Sequence, residues 1–498
     1  MKFLKLAAVS VSAALAAGCG GGGMGSNGGG GGGTNLTQAS VAISATKGGA
    51  FSVAMSTSFQ PAEWDYTFFQ QNPSATTPLG KLGSNHIRLQ GVSQGVPQTS
   101  ASTWDFTILD AITQPVLGVG DHSPEFQIAV APGFMYDVNH NFIDPTYLQF
   151  AEYSADLVRY YNIPGGFTAP DGPHASPSGI PITWWGIYNE PNFNNLDSTQ
   201  YTQLYNALVP ALQAVDGSLK YAAVELGDYS GLANQYLPAF VQGVTAHVDV
   251  LATHFYSTCN QKDNDAKLFS TVPGFVSEVT DIYTQLNTNL ALANVPVWVT
   301  ENNVNADFDK GGGISACNGT TFVDDARGSS PFFAAWRPYV FSQLGQAGTQ
   351  ALYHWDFAAD PQFGEVNGND AALQLSYWVD YWLGQAFPPS AGSHVLQFTS
   401  SDNADLETLP VMNSDGSVVV MVANHAVNSP ATDNNGPGVP FSVSVDVSAL
   451  GNFSSASLLV IDKDTSAANG PAPTMVTPAA KITIDLNGYS VGILTLKP

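Results

Sequence analysis

Basic side chains are scarce in this 498-residue chain: Lys and Arg total 15 against 40 Asp and Glu, which gives a formal net charge of -25. Such a chain repels the phosphates of nucleic acids and anionic lipid surfaces, so we expect no nucleic acid among its partners. Charged residues make up only 11% of the chain, and aromatic residues make up another 11%. This mixture is typical of a protein that offers stacking surfaces to neutral ligands such as carbohydrate.

The apolar run near the N terminus is too short to span a bilayer. Residues 6–17 follow Lys2 and Lys5 and lead into Ala-Ala-Gly-Cys at 16–19, which is the pattern of an export signal. The four residues resemble a bacterial lipobox, whose Cys becomes the lipidated first residue of the mature protein. The resemblance implies a signal peptide over 1–18 and a lipid anchor on Cys19, at the outer membrane or the cell surface. Simple secretion is the alternative.

Cysteine is rare as well. Besides Cys19, the chain contains Cys259 and Cys317, and export permits disulfides, so these two are candidates for one bridge. The segment after Cys19 is Gly-rich through Gly33 and has no side chains that could form a core. We therefore expect 19–40 to be a flexible tether.

Strand-like apolar runs alternate with amphipathic helical stretches from about residue 50 to 387. In one such stretch, Tyr201, Leu204, Tyr205 and Leu208 recur at helical spacing. Eight strand–helix repeats predict an α/β fold, a (β/α)8 TIM barrel over 41–390. An open doubly wound sheet is the alternative, although no Gly-rich dinucleotide fingerprint follows the first strand. The eight predicted strands are 51–59, 86–91, 126–131, 182–190, 221–226, 248–256, 296–301 and 351–357.

Beyond residue 392 the pattern changes to period-two alternation with turn signals. It predicts an all-β sandwich domain over 391–498. The run at 41–45 could pair with it, so that both ends of the chain would build the sandwich. The predicted strands of this domain are 417–422, 441–447, 457–461, 481–486 and 491–496.

Two glutamates close apolar strands where a barrel builds its active site. Glu190 closes the fourth predicted strand and Glu301 closes the seventh. Val297 and Val299 share a pleat face with Glu301, which we expect to point inward at the mouth. Hydrolysis of a glycosidic bond needs one carboxylic acid at the leaving oxygen and a second carboxylate on the other side of the sugar carbon. The pair therefore predicts a glycosidase.

The motifs around these glutamates resemble a known group of enzymes. Trp-Gly-Ile-Tyr-Asn-Glu-Pro-Asn at 185–192 and Trp-Val-Thr-Glu at 298–301 are similar to the clan A glycoside hydrolases. Thr-His-Phe-Tyr at 253–256, together with the sandwich, resembles glycoside hydrolase family 39, while families 5, 30 and 79 stay open. The resemblance implies retaining hydrolysis of β-linked oligosaccharides or polysaccharides, β-xylosidase-like or endo-acting, by double displacement. It implies no cofactor and no metal.

The resemblance also implies roles at the fourth and seventh strands. Glu301 would be the nucleophile, and Glu190 would be the acid in the first step and the base in the second. Asn189 would bond the sugar hydroxyl beside the reacting carbon. Because consecutive strand residues face opposite ways, Asn189 and Glu190 can share the site only if the strand contains a bulge or turn there.

Four further side chains complete the predicted substrate-binding set. Arg88, at the end of the second strand, and Tyr256 are suited to hold the Glu301 carboxylate by hydrogen bonds. His254 joins them through the resemblance. Trp355 on the eighth strand would stack on a sugar face, whose C–H groups are apolar.

Two other functions fit parts of the pattern. A non-catalytic carbohydrate-binding surface lipoprotein could use the same barrel, but the presence of both acids argues against it. A metal-dependent hydrolase would need several His and Asp converging at strand ends, whereas strands six and eight offer one His each. The calcium-like run at 137–144 has Phe142 at the turn position that usually needs Gly, so a polar rim loop is predicted there.

Overall fold

The computed structural model describes residues 36–60, 66–82, 86–90, 95–119, 125–227 and 233–498. The predicted signal peptide, Cys19 and most of the tether lie outside the described residues. Among those that are described, no helix combines the length and the apolar character needed to cross a bilayer.

Eight parallel strands close into a barrel, which confirms the predicted (β/α)8 architecture. They lie around the barrel in chain order and are named the first to the eighth strand: Ala54–Phe59, Ile87–Leu89, Glu125–Ile128, Trp184–Ile187, Lys220–Leu226, Val250–Thr258, Val297–Asn305 and Thr349–His354. The described helices follow the strands: Phe68–Gln71 and Thr76–Lys81 after the first, then Thr107–Gly118, Leu148–Asn162, Ser198–Val215, Ala233–Gly243, Asp265–Leu286, Pro331–Gln346 and Leu375–Ala386.

The helix Ser198–Val215 shows why the sequence folds this way locally. Asp197 caps it through a reciprocal capping box with Gln200, which satisfies backbone N–H groups that have no partner inside the helix. Its predicted apolar face is buried. The helix is therefore held by a cap at its start and by packing along its length.

The inside of the barrel is filled at its base by Trp298, which packs with Ala54, Ala252 and the rings of Trp184 and Tyr353. Val297 and Val299 pack instead in the large core that includes the surrounding helices. The expectation that these valines share the inward face with Glu301 is therefore wrong. Glu301 reaches the interior because the register of the seventh strand shifts between Val299 and Asn302, which changes the face on which the following side chains lie.

The seventh strand also runs past its predicted end at Glu301 and continues to Asn305. Asparagine is depleted in strands, so the sequence pattern placed the end too early. The amides remain in the strand because they are hydrogen-bonded: Asn302 donates to the Phe255 carbonyl at 2.6 Å and Asn303 to that of Trp355 at 2.7 Å. Buried polar groups with such partners do not need water.

The second part of the structure is a nine-stranded sheet whose two arms pack face to face, which confirms the β-sandwich. Its long first strand pairs antiparallel with one C-terminal strand and parallel with another. The expected barrel range of 41–390 thus includes residues that belong to the sandwich. The order in the sheet is Thr474–Val476, Ser455–Ile461, Ser490–Lys497, Val418–Asn424, Leu406–Met412, Ser393–Ser400, Thr37–Phe51, Phe441–Asp446 and Lys481–Leu486.

The barrel helix Pro331–Gln346 packs on the sandwich, and Glu407 of the sandwich strand Leu406–Met412 is buried between the two parts. Ser342 and Gln343 both donate hydrogen bonds to Glu407, and Tyr339 stacks on His425 with ring centroids 4.5 Å apart. Burial raises the pKa of Glu407 from about 4.5 to about 7, although the two hydrogen bonds oppose the shift. Glu407 therefore holds its proton more tightly in the folded protein than in the unfolded chain.

We predict that Glu407→Gln stabilises the protein at alkaline pH. The stabilising contribution of Glu407 is full below pH 4.5 and is lost as the pH rises through about 7, because the unfolded chain releases the proton first. The free energy of unfolding of the variant should exceed that of the wild type by up to about 3 kcal/mol at pH 8 and should equal it near pH 4. Urea unfolding across this pH range measures the difference. Glu152→Gln, which removes an exposed carboxylate, should follow the wild-type curve; equal curves for Glu407→Gln would contradict the prediction.

Candidate active site

The chain turns sharply where the fourth strand ends at Ile187. Tyr188 has φ 70° and Glu190 has φ 42°, both in the left-handed region that non-glycine residues seldom adopt. The Glu190 N–H donates to the Glu225 carbonyl at 3.0 Å, which ties this turn to the fifth strand. The turn required by the sequence is present, and it lets Asn189 and Glu190 face the same space.

Glu301 is held at both carboxylate oxygens. Arg88 donates from Nη1 to Oε1 at 2.9 Å, and the Tyr256 hydroxyl donates to Oε2 at 2.8 Å. Burial and the Glu301 carboxylate raise the pKa of Tyr256 well above its usual value of 10, so the phenol stays a donor. Both partners predicted from the sequence therefore contact this carboxylate in the structure.

Glu190 lies across from Glu301. One carboxylate oxygen of each residue and a ring nitrogen of His254 all lie within 4.8 Å of one another. The Glu190 side chain is 26% exposed, whereas that of Glu301 is 8% exposed. The two carboxylates thus flank a small space at the mouth, with Glu190 on the more open side.

His254 contacts carboxylates with both ring nitrogens. Nδ1 lies 3.0 Å from Glu190 Oε1 and 3.4 Å from Glu301 Oε2, and Nε2 lies 3.3 Å from Glu225 Oε2. Burial alone would lower the pKa of His254, but the negative charge of Glu301 and hydrogen bonds to Glu190 and Glu225 raise it to about 9. The ring is therefore an imidazolium, and both nitrogens donate.

Asn189 is oriented by two donors. Arg88 Nη2 donates to its side-chain carbonyl at 3.1 Å, and Gln127 Nε2 donates to the same oxygen at 3.0 Å. Because the carbonyl is occupied, the amide nitrogen is the group left to bind a ligand. An N–H donor beside the two carboxylates suits a sugar hydroxyl.

Trp355 lies near Tyr256 at the end of the eighth strand. It is 8% exposed, its indole N–H donates to Gln60 Oε1 at 3.2 Å, and its ring meets Phe363 edge-on at a centroid distance of 4.8 Å. The Trp355–Asp356 peptide is cis. Only a narrow part of the indole is open, so any sugar contact uses an edge or a limited area of the ring.

A cavity of about 500 Å³ adjoins these residues. Its lining combines aromatic rings with a few polar groups, and it includes Phe193, Gly227, His254, Tyr256, Thr258 and Phe275. The disulfide between Cys259 and Cys317, with Cα atoms 5.9 Å apart, lies at its edge through Cys259. The bridge joins the loops that follow the sixth and seventh strands.

Glu225 is a site residue that the sequence pattern did not reveal. It lies on the fifth strand, where Val224 and Glu225 have φ 79° and 47° and the register with the sixth strand shifts. Burial alone would raise the pKa of Glu225, but the charge of Arg88 and the hydrogen bond from His254 lower it to about 2. A lone carboxylate inside the apolar run Ala-Ala-Val-Glu-Leu was the available signal, because burial of such a group requires a partner.

Two described clusters bring three donor atoms of His, Asp or Glu within 4.8 Å, the spacing that a metal ion would use: Glu190, His254 and Glu301, and separately His354, Glu365 and Asp380. Arg88 and imidazolium His254 already supply positive charge to the first cluster. Arg337 binds Asp380 of the second through Nε at 2.9 Å. A buried cation at each place disfavours a second one. The predicted rim loop at 137–144 is a turn in which Asp137 accepts the N–H groups of Asn139 and Asn141.

Comparisons with known proteins agree with this architecture. No protein-family model matches the chain, and no curated protein matches it. Among solved structures, the chain is similar to a monomeric β-xylosidase from Caulobacter crescentus, with TM-score 0.66 and 14% identity, covering 92% of this chain and 99% of the other. The chain is also similar to a GH39 enzyme from Xanthomonas axonopodis pv. citri, with TM-score 0.64 and 15% identity, covering 92% of this chain and 97% of the other.

A third solved structure belongs to another family. The thermostable GH51 α-L-arabinofuranosidase from Thermotoga petrophila matches with TM-score 0.65 and 11% identity, covering 92% of this chain and 100% of the other. At such identities the likeness concerns the fold. The chain has the barrel-and-sandwich fold of the glycoside hydrolases of families 39 and 51.

Proposed function

We propose that the protein is an O-glycosyl hydrolase that retains configuration by double displacement. The observation that carries the proposal is the placement of Glu190 and Glu301, whose facing oxygens lie within 4.8 Å. Retaining enzymes hold their two carboxyl groups about 5–5.5 Å apart, whereas inverting enzymes need roughly 6.5–9.5 Å to admit water. The short separation favours direct attack by one carboxylate on the sugar.

In the first step, a Glu301 oxygen attacks the anomeric carbon while Glu190 gives its proton to the leaving oxygen. The glycosidic C–O bond breaks as the ester to Glu301 forms. In the second step, Glu190 takes a proton from water, whose oxygen displaces Glu301. Arg88 and Tyr256 hold Glu301 in line for attack, and Asn189 offers its N–H to the neighbouring sugar hydroxyl.

The substrates we propose are β-linked sugars. The similar structures include β-xylosidases and a GH30 endoxylanase from Clostridium papyrosolvens, so β-xylosidase-like and endo-acting hydrolysis are the two forms to test. The acidic composition of the chain favours a neutral carbohydrate. Aryl glycosides and a panel of polysaccharides, assayed together, distinguish the two forms.

We further propose that the protein acts outside the cytoplasm, anchored to the cell envelope by a lipid on Cys19. This part rests on the resemblance of Ala-Ala-Gly-Cys to a lipobox. The Cys259–Cys317 bridge supports it, because disulfides persist in oxidising compartments.

Replacing Glu301 with Gln should abolish turnover. The amide is nearly isosteric but is not a nucleophile, so we expect kcat to fall roughly 10⁴-fold or more on an aryl glycoside. Steady-state kinetics measures the loss, and Glu407→Gln in the sandwich is the control for removal of a buried carboxylate. Near-normal turnover by Glu301→Gln would rule out its role as nucleophile.

Replacing Glu190 with Ala should slow the second step, because water then lacks its base. On an aryl glycoside with a good leaving group we expect a loss of about 10²–10⁴-fold in kcat. Azide, which needs no base, should restore the rate and give a glycosyl azide of retained configuration. Product analysis by NMR checks the configuration. An inverted azide, or wild-type kinetics without azide, would contradict the assignment.

Gly227→Ala tests the placement of Glu190 without altering either reacting carboxylate. A Cβ at this position would lie 2.6 Å from Glu190 Oε1 and 2.5 Å from a ring carbon of Phe193. Both side chains must move, so we expect kcat/KM to fall about 10²-fold, as for a displacement of about 1 Å. Gly217→Ala, whose Cβ meets nothing within 4 Å, is the matched control. If both variants retain wild-type kcat/KM, crowding at Glu190 has no effect on catalysis.

A further inference from the structure

Two buried carboxyl groups lie below the residues assigned to sugar chemistry. Glu125 belongs to the third strand and Glu225 to the fifth, and neither is exposed. Gly186 of the fourth strand separates them: a Cβ added there would lie 2.9 Å from Glu125 Oε1 and 3.2 Å from Glu225 Oε1. The two carboxyl groups therefore converge over a residue that has no side chain.

Three oxygen atoms of this pair have no hydrogen-bond donor among the described residues: both oxygens of Glu125 and Oε1 of Glu225. Two buried carboxylates in this arrangement would repel each other and would lack the hydrogen bonds that buried charge requires. One proton resolves the conflict, because a protonated Glu125 is placed to donate to Glu225. A carboxyl–carboxylate pair with one shared proton leaves a single negative charge.

The surroundings show which member carries that charge. Glu225 Oε2 accepts from Thr300 Oγ1 at 2.6 Å and faces His254 Nε2 at 3.3 Å and Arg88 Nη2 at 3.5 Å. The charged groups that face Glu125 are Glu225, Arg88 and His254; burial and the Glu225 charge raise the pKa of Glu125 well above 4.5, although Arg88 and His254 oppose the shift. Glu225 is the ionised member, and Glu125 is the neutral acid.

We propose that Glu125 and Glu225 form a positioning pair, in which one shared proton leaves a single charge that keeps His254 an imidazolium donating to Glu190. Neither carboxyl group of the pair touches the sugar. In turnover, the pair acts through His254, and this part of the inference rests on the proposed function.

In the proposed first step, the charge on Glu301 is exchanged for one on Glu190. Glu301 attacks as the carboxylate and becomes an uncharged ester, while Glu190 gives its proton to the leaving oxygen and becomes an anion. The number of negative charges that face Arg88 and His254 is therefore the same before and after the step, and a neutral Glu125 adds none.

The first experiment follows the imidazole of His254 by NMR in protein labelled with ¹⁵N-histidine, with its signals assigned by their loss in His254→Asn. Glu125→Gln keeps a neutral donor and should move the titration midpoint of His254 by less than about 0.5 pH unit. Glu225→Gln removes the charge and should lower the midpoint by about one unit or more. In Glu225→Gln, the alkaline limb of the plot of kcat/KM against pH should shift to lower pH together with the midpoint of His254.

The second experiment uses infrared spectroscopy at pH 7 and does not need Glu225→Gln to fold. The wild type and Glu190→Gln should both show a carboxylic-acid C=O band that disappears in Glu125→Gln. If Glu125→Gln removes no such band, or shifts His254 as far as Glu225→Gln does, the pair is overturned. Neither spectroscopic result depends on turnover, so the expected spectra in a protein that cleaves no glycoside would support the pair and reject the glycosidase function.

Discussion

One buried cation holds the mouth of the barrel together. Arg88 has no exposed surface, and its guanidinium contacts Glu301, Glu225 and Asn189. Burial of an unpaired carboxylate costs several kcal/mol, so these acids can lie side by side only where positive charge is permanent. Arginine provides that charge together with a planar set of donors that reaches several acceptors at once. A lysine would neutralise one acid and would leave the remaining acceptors without a donor.

The irregular backbone around this cation follows from the same need. Two strand ends, at Tyr188 and Glu190 and at Val224 and Glu225, adopt left-handed conformations that cost about 1–3 kcal/mol for each residue. A regular strand would have pointed these carboxylates away from Arg88 or into the helices. Charge pairing with Arg88 and His254 offsets the strain. The hydrogen bond from the Glu190 N–H to the Glu225 backbone carbonyl couples the two strand ends.

The sequence predicted the architecture better than the fine geometry. Eight strand–helix repeats and the change to period-two alternation after residue 392 sufficed for the barrel and the sandwich, because burial imposes those periods. The bulge beside Glu301 could not be foreseen, since it depends on pairing with neighbouring strands. Glu125 and Glu225 were missed for a related reason: only the closed barrel shows that Arg88 lies close enough to make their burial tolerable.

The strand Thr37–Phe51 gives the chain an unusual order of assembly. It lies inside the sandwich sheet, between Ser393–Ser400 and Phe441–Asp446. This strand is the first described segment to be synthesised, but both strands that pair with it are synthesised after the barrel. The whole barrel is made in the interval. Closing a loop of that length is slow, and an unpaired strand exposes edges that associate with other chains. The sandwich sheet can therefore be completed only after the barrel segment has been synthesised, and its completion pairs the first described strand with strands that follow the barrel in the chain.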